Sequence, residues 1–370
     1  MRSSPLLSLT KNGLYCQAGD FYIDPWEPVE KAVITHAHSD HARHDNKAYL
    51  AAVDSERLLR TRLGDHIALQ TLPYGSPLTL GDVTVTLFPA GHILGSAQVR
   101  VEHNGEIWVV SGDYKLEPDR TCAAFEPVRC NTFISEATFG LPIYRWPASA
   151  VVFEQINQWW RANQARGKAS VLYCYALGKA QRILAGIDAN IGPVYTHGAV
   201  ERITQDYRDS GIALPETTLA GIAPRKTDWS KAMILAPPSA AGTPWLRRFG
   251  SLSTAFASGW MAVRGMRRRK AVDRGFVLSD HSDWTGLLSA MADSGADNIL
   301  VTHGYVPVMV RYLTEIGVNA SGISTRFEGE QEESPAFALS NASEATETEA
   351  INHVDEDAAI DQAMIAEAEA

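Results

Sequence analysis

Four residues with metal-donor side chains, His36, His38, Asp40 and His41, fall within six positions directly after the apolar run Ala32-Val33-Ile34. Imidazole and carboxylate are the ligands that borderline divalent ions such as zinc prefer. On an irregular turn, donors this close can serve two ions, because alternate side chains diverge. Gly13-Leu14-Tyr15-Cys16, Phe21-Tyr22-Ile23-Asp24 and Ala32-Val33-Ile34-Thr35 read as short strands bounded by Gly, Asp and Pro. Residues 83–88 alternate with period two, and Ile107-Trp108-Val109-Val110 and Thr132-Phe133-Ile134 read as buried strands of one sheet system. The later runs end in polar clusters, at Gly91-His92, Ser111-Gly112-Asp113 and Ser135-Glu136. Functional residues offered at strand ends by a rigid scaffold are what a catalytic face looks like in sequence.

The pattern changes between about 144 and 274. Helical periodicity over 151–166 and 178–189 alternates with strand-like 170–173 and 233–236, which predicts a separate α/β unit with a parallel sheet. The first pattern then returns: 285–293 reads as a helix capped by Gly295, and 298–302 as a strand ending at His303. The expected organisation is a sandwich-like domain in two parts, 1–143 and 275–327, interrupted by an inserted domain, 144–274. Residues 328–370 hold thirteen acidic residues and no Lys or Arg, with few aromatics, and are expected to be disordered.

That tail explains the charge. The whole chain carries a net −10, but outside the tail 30 acids face 33 bases, so the body is slightly basic and suits an acidic substrate. No run of about 18 apolar residues is present, which argues against a membrane span. Cys16, Cys122, Cys130 and Cys174 are widely spread with no CxxC pair, as expected of reduced thiols in a cytoplasmic protein without a secretory signal.

His36 to His41, His92 between Gly91 and Gly95, Asp113 after a strand and His303 in Val301-Thr302-His303-Gly304 together resemble the metal motifs of the metallo-β-lactamase superfamily. The resemblance spans about 300 residues once the insertion is allowed for. It implies an α/β fold, the αββα sandwich of that superfamily. It also implies two Zn2+ ions, or Mn2+: one on His36, His38, His92 and Asp113, the other on Asp40, His41 and His303, with Asp113 bridging.

The insertion lies between Ser135-Glu136-Ala137-Thr138-Phe139-Gly140 and Ser279-Asp280-His281-Ser282-Asp283-Trp284. These look like the first two special motifs of the β-CASP nucleases, with His303 doubling as the third. The resemblance implies an inserted α/β β-CASP cap domain over the zinc site and a nucleic-acid substrate entering between the two domains. It casts Asp40 as the residue orienting the attacking water. His281 becomes the histidine beside the scissile phosphate, and Glu136 the carboxylate that orients it.

Arg264, Arg267, Arg268, Arg269, Lys270 and Arg274 place six cations within eleven residues just before the His281 motif. Lys and Arg neutralising phosphates supply most non-specific nucleic-acid affinity. Lys179 and Arg182, at a helix start opened by Gly178, could hold a phosphate on free backbone amides. The five tryptophans Trp159, Trp160, Trp229, Trp245 and Trp260 read as core. The stretch from Ser258-Gly259-Trp260-Met261 through Ser279-Asp280-His281 is similar to the bacterial ligase-associated DNA exonucleases, a β-CASP subgroup also labelled mRNA 3′-end processing exonucleases. This implies DNA in preference to RNA, and repair beside an ATP-dependent DNA ligase and a helicase. His303 stands where several DNA-specific relatives carry valine, so an RNA endo- or exonuclease is the alternative. A small-molecule metallohydrolase fits less well, since it has no use for the insertion or the basic stretch.

Overall fold

The computed structural model describes residues 5–265 and 271–326. The chain divides into two compact units, with 5–145 and 280–326 in the first and 146–265 and 271–279 in the second. Arg267, Arg268, Arg269, Lys270 and the acidic tail from 328 lie outside the described residues.

Two sheets build the first unit. One runs Ser8–Thr10, Gly13–Cys16, Phe21–Ile23, Ala32–Val33, Tyr49–Ala52, Leu69–Leu72. The other runs Ala320–Gly322, Asn298–Gly304, Thr132–Ala137, Glu106–Val110, Ala97–His103, Val83–Pro89, Pro77–Leu80. Side chains on a strand point alternately to its two faces, and the burial follows that rule on both sides of the second sheet. Val85, Leu87, Val99, Val110 and Ile134 pack against Leu14, Phe21, Ile23, Val33 and Leu50 of the first sheet. Val109, Phe133, Ile299 and Val301 form a second core with Leu287 and Met291 of the helix Trp284–Ser294 and with Met309 and Leu313 of Val306–Glu315. A strand buried on both faces reads as continuous apolar sequence, which accounts for Trp108-Val109-Val110 and Phe133-Ile134. Asp283 caps the helix Trp284–Ser294, accepting from Gly286 N at 2.8 Å, and Gly295 ends it in the left-handed conformation.

The second unit has a six-stranded, all-parallel sheet in the order Thr218–Leu219, Val194–Thr196, Met233–Ala236, Ala169–Tyr173, Leu252–Ala257, Arg274–Phe276. The helix Ser149–Gln164 buries Val152, Ile156, Trp159, Trp160 and Asn163, the spacing of one helical face. Of the five tryptophans, four are buried; Trp245 is half-buried, edge-on to His197 and Phe249. The sequence places the return to the first unit at 275. Arg274–Phe276 instead pairs with Leu252–Ala257 and completes the third sheet, so the return comes at Asp280.

Candidate metal centre

Within the first unit, the predicted donors gather at the C-terminal ends of strands. His36 follows Ala32–Val33, His92 follows Val83–Pro89, Asp113 follows Glu106–Val110, and Glu136 and His303 sit in the last turns of Thr132–Ala137 and Asn298–Gly304. His303 owes its aim to a bulge. Glu136 pairs with Thr302 but Ala137 pairs with Gly304, leaving His303 as the extra residue, and a bulge of this kind redirects one side chain. Gly304 is obligatory there: its φ is +81°, and a Cβ would stand 2.1 Å from Ala137 O. Gly91 has the same constraint before His92, since a Cβ would meet Lys115 O at 2.3 Å.

Hydrogen bonds fix how the imidazoles face. Thr35 Oγ1 donates to Asp24 Oδ2 at 2.5 Å, so it accepts from His36 Nδ1 at 3.0 Å. His41 Nδ1 donates to Asp24 Oδ2 at 2.7 Å, and His92 Nδ1 donates to the Asp280 carbonyl at 2.8 Å. Each of these rings therefore turns its Nε2 inward, the arrangement by which outer hydrogen bonds orient metal-binding histidines. His38 Nδ1 lies 3.1 Å from both His36 Nε2 and His92 Nε2. Donor atoms on a tetrahedral ion with bonds of 2.0–2.1 Å stand about 3.3 Å apart.

Asp113 is shared by two groups of donors. Its Oδ2 is 3.6 Å from His36 Nε2, 3.9 Å from His92 Nε2 and 3.5 Å from His41 Nε2, while its Oδ1 is 3.1 Å from His303 Nε2. The ligand atoms of His36, His38, His92 and Asp113 lie within 4.8 Å of one another, as do those of His41, Asp113 and His303. Asp40 stands outside both groupings and meets the second through His41, with Oδ2 at 3.5 Å from Nε2. Asp40 Oδ2 is buried and accepts no hydrogen bond from the described residues, a costly state for a carboxylate oxygen that a cation would relieve. The donor set thus fits a divalent ion.

Charge is distributed accordingly. Burial, reinforced by the neighbouring His41, holds His36 well below its ordinary pKa, and burial with His281 and His38 does the same to His92. Burial alone would lower His41 too, but Asp40, Asp113 and Asp24 outweigh it and hold His41 well above the usual imidazole range. Burial would raise Asp113, but His41, His303 and His281 outweigh it and keep its carboxyl well below the usual range. His281 Nδ1 lies 3.0 Å from both oxygens of the fully buried Glu136, which also accepts from Tyr114 N at 2.9 Å and from the Thr138 hydroxyl. The His281 ring packs on His92 at 4.6 Å between centroids.

No family model matches the sequence. The chain is similar to a protein named "Probable DNA ligase" from Opitutus terrae, 32% identical over 84% of this chain and 30% of that protein. It is also similar to the endoribonuclease YSH1 of Saccharomyces cerevisiae, 31% identical over 32% of this chain and 15% of that protein. A crystal structure of a protein of unknown function from Enterococcus faecalis V583 shares the fold, with a TM-score of 0.56 at 12% identity over 79% of this chain and 78% of that one. This chain spans less than a third of the length of those curated relatives. Likeness to a ligase-named protein and to endoribonucleases is consistent with a β-CASP nuclease.

Two cations expected to face phosphate are placed otherwise. Lys179 is fully buried, its Nζ 4.9 Å over the Tyr175 ring. Arg182 is buried as well, donating to the Ser279 carbonyl and, at 2.6 Å, to Ser149 Oγ. The helix start Lys179–Gly186 is closed by Gln181, whose Oε1 accepts from Gly178 N at 2.8 Å. These are the surroundings of residues that hold a fold together. Arg264 and Arg274 are exposed.

Sequence reasoning missed three residues that brace the centre. Asp24, 2% exposed and in a left-handed conformation unusual outside glycine (φ 43°), serves Thr35 and His41 at once. It ends an apolar strand, the same signal that exposed Asp113. Thr35 carries no such signal. Arg62, on the helix Glu56–Leu63, donates to Ala37 O at 2.6 Å and Ala42 O at 3.4 Å, clamping the backbone of the histidine loop.

Proposed function

We propose that this chain is a metal-dependent phosphodiesterase that cuts nucleic acid, built as a metallo-β-lactamase αββα sandwich with an inserted α/β β-CASP cap domain. The observation that carries this reading is one carboxylate, Asp113, shared by two donor groups beside a buried Glu136–His281 pair. Two Zn2+ ions, or Mn2+, suit the set: His36, His38, His92 and Asp113 for one, Asp40, His41, His303 and Asp113 for the other. Such a pair, when bound, lowers the pKa of water and neutralises charge on phosphate oxygens. The chain's own residues supply the rest. Asp40 accepts a hydrogen bond from the attacking water and aims it. Glu136 holds His281 by Nδ1, so Nε2 faces the leaving oxygen and hands it a proton.

The substrate we infer is DNA, cut exonucleolytically in the cytoplasm during repair, with an ATP-dependent DNA ligase and a helicase acting on the same lesion. Its support is the likeness to a ligase-named protein over 84% of this chain, against 32% for the endoribonuclease of Saccharomyces cerevisiae. Exposed Arg264 and Arg274 fit contact with a phosphate backbone. An RNA endo- or exonuclease is the second reading, favoured by the endoribonuclease relatives and by His303.

The test offers purified protein with Zn2+ or Mn2+ single-stranded DNA, duplex DNA and RNA, each labelled at one end. Mononucleotide ladders from DNA are expected, abolished by a chelator. Asp40→Ala and His38→Ala are expected to slow cleavage by about a thousandfold, equivalent to about 4 kcal/mol of barrier. Cleavage of RNA alone would sink the DNA reading, and full activity after chelation would sink the metal-dependent one.

A further inference from the structure

The segment leaving the metal centre is aromatic and partly open to solvent. Tyr305 follows His303 and Gly304, within about 7 Å of chain from the histidine, and its backbone N–H is fixed on Ala137 O at 2.8 Å. Its side chain is half-exposed. Its hydroxyl lies 3.3 Å from that of the buried Tyr144, with ring centroids 6.0 Å apart. Phe139 joins Tyr144 to the reacting histidine, packing edge-on against Tyr144 at 4.9 Å and against His281 at 5.9 Å. The aromatic set is thus continuous with the proposed active site.

Exposed apolar groups lie next to it in sequence. Large hydrophobic side chains exposed among the described residues include Ile143 (64%) and Val308 (41%), one beside Tyr144 in sequence and one in the first turn of the helix Val306–Glu315 that Tyr305 opens. Arg145, also exposed, is held by Thr285 Oγ1 at 2.9 Å. A half-exposed phenol ring, with exposed aliphatic side chains and a guanidinium on the two short segments that carry Tyr305 and Tyr144, matches an unpaired nucleotide: a ring face accepts any base and a cation meets phosphate.

We propose that Tyr305, with Ile143 and Val308, is a stacking subsite for the unpaired nucleobase next to the scissile phosphate, and that Arg145 meets the adjoining phosphate. The proposal rests on the phosphodiesterase reading. It accounts for a tyrosine immediately after the His303–Gly304 bulge, where a helix start needs no aromatic group.

The test compares wild type, Tyr305→Leu and Tyr305→Phe on single strands whose terminal nucleotide is either normal or abasic. Base–aromatic stacking is worth about 1–3 kcal/mol per base, so Tyr305→Leu should raise KM for the normal strand by about five- to hundred-fold, with kcat within about twofold. Tyr305→Phe should keep wild-type KM. Wild type should discriminate against the abasic strand, and Tyr305→Leu should lose that discrimination, a coupling that general destabilisation does not produce. If Tyr305→Leu weakens both strands equally, or leaves both unchanged, the subsite is refuted while the phosphodiesterase reading stands. If wild type cleaves neither strand, both fail.

Discussion

Charged and basic groups lie at strand ends in both units, yet they have opposite fates. In the first unit, the Nε2 atoms of His36, His41 and His92 converge on Asp113 because each ring's other nitrogen is already committed outward. In the second, Lys179 and Arg182 follow the strand Ala169–Tyr173 of a parallel sheet, the usual place for a ligand site. There Arg182 donates to Ser149 and Ser279, and Lys179 lies over Tyr175. Burial alone therefore does not mark a site. Convergence of several donor atoms on one shared carboxylate does.

Breaking the outward commitments should have the largest effect on this contrast. Asp24→Asn keeps the shape but leaves one acceptor oxygen for the three donors Thr35 N, Thr35 Oγ1 and His41 Nδ1, and sets an amide N–H against one of them, so metal affinity should fall by about 10- to 100-fold. Competition with a chromophoric chelator measures it, and unchanged affinity would show that the orientation of His41 is set elsewhere.

A second effect is on acid stability of the metal-stripped protein. His36 and His92 have folded pKa values depressed below an unfolded value of about 6.5. Their contribution is present above that pH and is lost as pH falls toward the depressed values, by up to about 1.4 kcal/mol per pH unit for each. His41 has a raised folded pKa, so its contribution is complete below about 6.5 and is lost as pH rises through the folded value. Urea midpoints should therefore peak near pH 6.5 and fall more steeply on the acid side, where two groups act rather than one. Midpoints that climb steadily from pH 5.5 to 8 would contradict this.

The smallest effects sharpen the other half of the comparison. Arg274→Ala should reduce the slope of log affinity against log salt by about 0.7–0.9. Arg182→Leu should leave that slope alone and instead cost about 1–3 kcal/mol of stability, because buried acceptors lose their donor. Filter binding across a salt series, with thermal melts of both variants, separates the two roles. A reduced slope for Arg182→Leu would return it to the nucleic-acid surface.

Much of the site was legible because its chemistry is compressed into strand-end punctuation. His36 to His41, His92, Asp113, Glu136, His281 and His303 all stand after or at the end of apolar runs, and alternation located those runs. The bulge at His303 was not legible, since pairing between Thr132–Ala137 and Asn298–Gly304 depends on partners about 160 residues apart. Thr35 and Arg62 act through single hydrogen bonds that leave no periodicity. Lys179 and Arg182 misled because a basic helix start has the same composition whether it faces solvent or packs inside. The boundary fell five residues early because Arg274–Phe276, a three-residue edge strand, is too short to show its sheet membership.

The pairing of Thr132–Ala137 with Asn298–Gly304 also sets an order of events during synthesis. A ribosome releases the histidine loop, His92, Asp113 and Glu136 long before it releases His281 and His303. The whole inserted unit emerges between them and can fold as one uninterrupted stretch of chain. Until residue 281 appears, Glu136 has no imidazole to hold, and until residue 303 appears, Asp113 lacks one of its four imidazole neighbours. A nascent chain that stops short of residue 303 therefore lacks one donor of the candidate metal centre.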